Sequence, residues 1–192
     1  PSSKDNCIAH KMASFLGLEC FTYPVVLEGG SIDVNGQGIL LTTERCLLNK
    51  NRNPQFNKKQ IETLLKANFG VKKVLWLKDG IAGDDTDGHI DDIARFIAPN
   101  IIVTVMEEDK TDVNHKICDE NLGLLRSFCN LEGRPFRIVS LPMPKPIYYR
   151  KGERLPASYA NFYIANGIVL LPVFGCPQDK EAAAILKKFF KG

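Results

Sequence analysis

One order of elements recurs along these 192 residues, and it constrains the fold more tightly than any composition figure. Residues 28–34 (EGGSIDV) alternate as a strand does, and 38–43 (GILLTT) follow as a second strand. Residues 57–69 (NKKQIETLLKANF) then place Ile61, Leu64, Leu65 and Phe69 on one helical face, with Asn57 as N-cap and Gly70 as stop. A strand over 72–77 (KKVLWL) closes the unit. The second copy runs HIDDIARFIA (89–98), NIIVTVM (100–106), a helix near 115–130 and FRIVSL (136–141). The third runs ASYANFYIA (157–165), GIVLLPVF (167–174) and a helix from Asp179, with no closing strand after it. A strand–strand–helix–strand unit repeated in this way predicts an array or a propeller-like ring of blades, not one continuous doubly wound sheet. In a ring the first strands point their inner ends at a common centre. Glu28 and His89 begin the first strands of units one and two, so two polar side chains distant in sequence are expected to converge there.

The rest of the chain is compatible with one such domain over 1–192. Apolar residues make up 44% and charged residues 24%, enough to build a core. A net charge of +3, carried by scattered Lys and Arg, points away from nucleic acid. No apolar run reaches the roughly 20 residues of a membrane span, and no secretory signal opens the sequence. Six cysteines without CxxC spacing argue against a zinc site or redox pair. Most have apolar neighbours, so buried reduced thiols and the cytosol are expected. The chain opens at Pro1 and stops at Lys191-Gly192 just after an amphipathic helix, which reads as part of a longer polypeptide.

Residues 83–92 (GDDTDGHIDD) put five aspartates around one histidine. An EF-hand is rejected, because Gly83 and Ala94 fall at its first and twelfth ligand positions. A zinc site needs three or four ligands, and His10 and His115 bring no matching partners, so no metal is expected. A strand through His89-Ile90-Asp91 would put imidazole and carboxylate on one face. Carboxylates from two strands suit a planar guanidinium, whose N–H fork they accept bidentately, and an adjacent histidine can move protons. That set fits hydrolysis at a guanidinium carbon but lacks a nucleophile.

Three stretches, LEGGSIDVNGQGILLTTERCLLNKNRNP (27–54), GDDTDGHIDDIARF (83–96) and ASYANFYIANGIVLLPVFGCPQD (157–179), resemble the agmatine deiminase family. This is a branch of the guanidino-group-modifying hydrolases that includes peptidylarginine deiminase-like enzymes. The resemblance implies an α/β fold, the five-bladed pentein propeller of ββαβ repeats, of which about three repeats are present here. It implies His89 as general acid/base, Asp91 as the carboxylate gripping the guanidinium, and Glu28 as the group that orients and charges the histidine. Asp87 falls in the motif as a substrate-binding candidate, with a turn-capping role as the alternative. Gly29 and Gly30 are read as permitting close backbone approach, and the Asn-rich run 49–53 as a structural turn.

The chain departs from the family's pattern in two places. It lacks the upstream half with a second guanidinium-binding Asp, and the Gly-Gly-Asn-Ile-His-Cys context of the nucleophile. Cys176, in FGCPQD, does not match that context. The implied reaction converts agmatine to N-carbamoylputrescine and ammonia, a step toward putrescine and the polyamines, through an amidino-cysteine intermediate. It uses no metal or organic cofactor, and the segment alone is expected to be inactive. The expected partners are the small cationic substrate and the remaining polypeptide or a further subunit, with no nucleic acid or membrane. Two alternatives stay open: another guanidine hydrolase acting on arginine or peptidylarginine, and a non-catalytic pentein-fold binding module.

Overall fold

The computed structural model describes residues 7–190; Pro1 and the Lys191-Gly192 end lie outside the described residues. A lone helix α1 (Ile8–Leu16) precedes the first unit and buries none of its residues. Strands β1 (Ile32–Val34) and β2 (Ile39–Thr43) pair antiparallel, a short helix α2 (Glu44–Leu47) follows, and α3 (Lys58–Phe69) returns the chain to β3 (Lys73–Leu77). β3 lies parallel to β2, so the sheet order is β1-β2-β3. The second unit repeats this with β4 (Ala94–Ala98), β5 (Ile101–Met106), α4 (Val113–Ser127) and β6 (Arg137–Pro142), again with the last strand parallel to the middle one. The third unit has β7 (Tyr163–Ala165), β8 (Ile168–Leu170) and α5 (Gln178–Leu186). Among the described residues its sheet is two-stranded.

Local chemistry sets the helix ends. Asn57 accepts from the Gln60 amide at 3.0 Å while Gln60 accepts from the Asn57 amide at 2.9 Å, a reciprocal cap that satisfies two otherwise orphaned donors. Gly70, at φ 64°, ends α3 in the left-handed conformation, as the sequence predicts. Ile61 and Leu65 are buried, but Phe69, at the last helical position, is exposed.

Packing follows the strand period of two. In β2, Ile39 and Leu41 face unit two and join Leu75, Leu77, Ile90, Ile93 and Phe96. Leu40 faces the opposite way, onto Ile61, Leu65 and Trp76. Every residue of β2 is therefore buried, as expected of a strand covered on both faces. The same logic joins unit two to unit three, where Val103, Val105 and Leu141 meet Tyr159, Phe162 and Leu186. Polar contacts join the units as well. Arg95 Nε donates to Asp33 Oδ1 at 2.8 Å, and its Nη1 donates to the Phe162 carbonyl at 2.8 Å, so one guanidinium links all three.

Each unit opens on a turn where the sequence pattern predicts a strand. Gly29–Ser31 form a 3-10 turn, because the Ser31 amide and hydroxyl both donate to the Glu28 carbonyl, at 3.1 and 2.6 Å. Ile90–Asp92 form another, closed by the Ile93 amide on the Ile90 carbonyl at 3.0 Å. In the third unit the Ser158 hydroxyl donates to the Asp92 carbonyl at 2.7 Å, and the strand begins only at Tyr163. Alternation in the sequence therefore overstated the first strand of every unit. The cysteine expectation also needs correction: Cys46 and Cys118 are buried, Cys129 and Cys176 are partly so, and Cys20 is exposed. No helix among the described residues is long and apolar enough to cross a membrane.

Candidate active site

The two opening turns of units one and two pack against each other, and this contact brings their polar side chains together. Glu28, one residue before the first turn, puts Oε2 3.8 Å from His89 Nε2. Asp91, inside the second turn, puts Oδ1 4.0 Å from His89 Nδ1. Both separations are too long for hydrogen bonds, so the imidazole sits between two carboxylates without bonding to either. His89 is on a turn and not on a strand, so the two-residue alternation is not what aligns it with Asp91; the 3-10 geometry does so.

The turns are built for this approach. A Cβ on Gly30 would stand 2.5 Å from His89 Nδ1 and 2.7 Å from Asp91 Oδ2, so only glycine lets the backbone come this close. Gly29 meets nothing within 4 Å, so the close-approach expectation holds for one glycine of the pair. On the other side Asp84 accepts from the amides of Thr86, Gly88 and His89 at 2.8, 2.9 and 3.0 Å. The Thr43 hydroxyl donates to the Gly88 carbonyl at 2.6 Å, anchoring the loop to β2.

The five aspartates of the acidic stretch divide their work. Asp84 caps the turn, and Asp85 is exposed. Asp87 accepts from Asn51 Nδ2 and Arg52 Nη1 at 2.7 Å each, so its carboxylate is engaged by protein donors. Asp91 faces His89, and Asp92 is buried and accepts from Asn161 Nδ2 at 2.9 Å.

The run 49–53 is more than a turn. Arg52, 7% exposed in its side chain, donates from Nε and Nη2 to the two oxygens of Glu28 at 2.7 and 2.8 Å. Asn and Pro account for the segment's turn character in sequence, which hides this role. The available signal was a pair of cations, Lys50 and Arg52, in a chain with a surplus of carboxylates at 84–92. Asn53 ties the run to the segment before Glu28, pairing with both the Val26 amide and carbonyl at 2.9 and 2.8 Å.

Charge states follow from these contacts. The Arg52 hydrogen bond holds Glu28 below the ordinary carboxylate range, against the opposing effect of burial. Asn51 and Arg52 hold Asp87 low in the same way. Burial raises Asp91, and pushes the Asp92 carboxyl up to about 7. Two polar side-chain atoms at the centre, His89 Nε2 and Asp91 Oδ1, are buried without a hydrogen-bond partner. Groups of this kind suit a ligand that both donates hydrogen bonds and carries positive charge.

Cys46 joins the cluster unannounced by the sequence, with Glu28, Cys46 and His89 donor atoms within 4.8 Å of one another. A divalent ion there would have to displace the Arg52 fork from Glu28. It would also have to strip a thiol that burial pushes up to about 12. The same burial makes Cys46 a poor nucleophile. Cys176 lies elsewhere, with its Sγ 3.2 Å from the Tyr159 hydroxyl and beside Asp179, an environment without the positive charge a reactive thiolate needs. A cavity of about 400 Å³ between Ile164, Ile168 and Phe190 is apolar and away from these turns.

A family profile described as Porphyromonas-type peptidyl-arginine deiminase matches residues 1–192. The agmatine deiminase of Medicago truncatula is 41% identical over 207 residues, covering 98% of this chain and 55% of that protein. The agmatine deiminase of Pseudomonas fluorescens (strain SBW25) is 40% identical, over 86% of this chain and 50% of that protein. Among solved structures, C. jejuni agmatine deiminase with substrate bound superposes with a TM-score of 0.90 at 40% identity, over 98% of this chain and 55% of that one. The agmatine deiminase of Enterococcus faecalis gives 0.91 at 34%, over 99% and 57%. The chain thus spans about half the length of the curated relatives it matches.

Proposed function

This chain belongs to the Porphyromonas-type peptidyl-arginine deiminase family, and we propose that it carries the acid–base half of an agmatine deiminase site. The observation that carries the reading is the pair of buried, unpartnered atoms on His89 and Asp91, flanked by Glu28. A guanidinium matches them: its planar N–H groups supply donors to Asp91, and its charge offsets the carboxylates. Relatives named agmatine deiminase, at about 40% identity over nearly all of this chain, favour agmatine as the substrate.

In the proposed reaction a cysteine thiolate adds to the guanidinium carbon while Asp91 fixes the cation. His89 gives its proton to the nitrogen that leaves as ammonia. It then takes a proton from water, whose oxygen adds to the amidino carbon, and the thiolate departs to leave N-carbamoylputrescine. The nucleophile is assigned outside these 192 residues, because Cys46 is sealed and Cys176 stands beside an acid. A ring of five blades is the architecture we assign to the whole protein. Three units in 55% of the Medicago protein's length leave room for about two more, which would cover the open third sheet. The thiols of Cys20, Cys46, Cys118, Cys129 and Cys176, none in a disulfide, favour the cytosol.

Ammonia release from agmatine by the full-length protein, with arginine as comparison, tests the reading. Turnover of agmatine, lost in His89→Ala without loss of the fold, is expected. Preference for arginine would overturn the substrate assignment, and release from neither would make the domain a binding module.

A further inference from the structure

We propose that Arg52 is a positioning residue of this site: its guanidinium fixes Glu28 and Asp87 and offsets the negative charge that Glu28 places beside His89. An arginine side chain has five N–H donors, and all five have acceptors here. Nε serves Glu28 Oε2 at 2.7 Å, and Nη2 serves Glu28 Oε1 at 2.8 Å and the Thr86 carbonyl at 2.7 Å. Nη1 serves Asp87 Oδ2 at 2.7 Å and Asn51 Oδ1 at 3.1 Å. One buried cation thus ties the turn at Glu28 to the Thr86–Asp87 segment just before His89. Asp87 holds its place at φ 60°, a conformation rare outside glycine, which this clamp supports.

Glu28 and Asp91 flank the ring, Asp84 binds the His89 amide, and the Cys46 thiol lies close. These groups surround the ring with negative charge. The cations are Arg52 on Glu28, Arg95, which acts on Asp91 from its place on Asp33, and Arg45, which acts on Asp87. Of these, Arg52 is the one bonded directly to a carboxylate that touches the histidine. A group that must first donate and then accept a proton works best when neither state is strongly favoured. The clamp also occupies two carboxylates that would otherwise bind a guanidinium substrate in the wrong place, leaving Asp91 for it.

The catalytic part of this proposal rests on the deiminase reading, whereas the electrostatic part does not, and two measurements separate them. In the full-length protein, Arg52→Gln should lower kcat about 100-fold, and Arg52→Lys, which keeps the charge but not the fork, should recover part of it. In a Glu28→Gln background Arg52→Gln should cost less than in the wild type, because part of its effect runs through Glu28. The His89 imidazole, followed by NMR, should titrate at higher pH in Arg52→Gln than in the wild type, because a cation beside Glu28 is lost. Losses that multiply independently, or a titration that does not move, would overturn the proposal. If Arg52→Gln does not fold, Arg52→Lys carries the test through its kcat and the same cycle with Glu28→Gln. If the wild type turns over no guanidine, the functional reading fails while the titration still decides what Arg52 does to His89.

Discussion

Adding one methyl group at Gly30 perturbs the proposed site more selectively than removing any of its charged groups. The Cβ of Gly30→Ala would stand 2.5 Å from His89 Nδ1, about 0.9 Å inside the 3.4 Å at which ordinary contact begins, and 2.7 Å from Asp91 Oδ2. The backbone at Gly30 is not left-handed, so alanine is not strained there. What must give way are the two side chains, displaced by nearly an ångström and in different directions. Side chains can swing, so the stability cost should sit near the low end of overpacking, about 1 kcal/mol. Catalysis has no such tolerance: misplacement by about 1 Å costs on the order of 100-fold. The assay is kcat for ammonia release from agmatine beside Tm, with Gly29→Ala as control, since that Cβ meets nothing within 4 Å. Gly30→Ala should lose about two orders of magnitude with a small drop in Tm, and Gly29→Ala should match the wild type. Full activity in Gly30→Ala would show that His89 and Asp91 do not need the positions seen here.

Asp92 makes stability depend on pH. Burial raises its folded value from 3.8 to about 7, so the folded state keeps a proton that the unfolded state releases. The contribution is whole below about pH 4 and is lost as pH rises through 7. Asp92→Asn keeps an acceptor for Asn161 and removes that slope, so thermal melts from pH 4 to 8 should show the variant more stable than wild type at pH 8, by up to about 4 kcal/mol. Arg95→Ala leaves Asp33 buried without its partner and should cost about 3–5 kcal/mol in denaturant melts. Cys46→Ala should keep agmatine turnover within a few-fold; abolished turnover with the fold intact would place the nucleophile in this chain.

Much of this was legible in the sequence. The helices of the repeats were, because caps such as Asn57 and Gly70 are local signals, whereas α1 and α2 were not. The convergence of Glu28 and His89 was legible through the repeat, which states a long-range relation in one dimension. Strand alternation failed at 28–31 and 89–92, since a serine closing onto a carbonyl and a glycine forced by its neighbours leave no mark on polarity. Arg52 was hidden for a related reason: its partners lie 24 and 35 residues away, and no local rule links them. Cys46 entered the cluster only through the packing of α2 behind β2.

In the proposed site a substrate guanidinium is held by Asp91, and its protons move through His89. A structure of the full-length protein with agmatine trapped by a slow His89→Gln variant tests it most directly. The guanidinium should lie within hydrogen-bond distance of Asp91 Oδ1 and beside residue 89, with Glu28 still held by Arg52. Agmatine bound against Glu28 and Asp87 with Arg52 displaced, or bound away from both turns, would contradict the account.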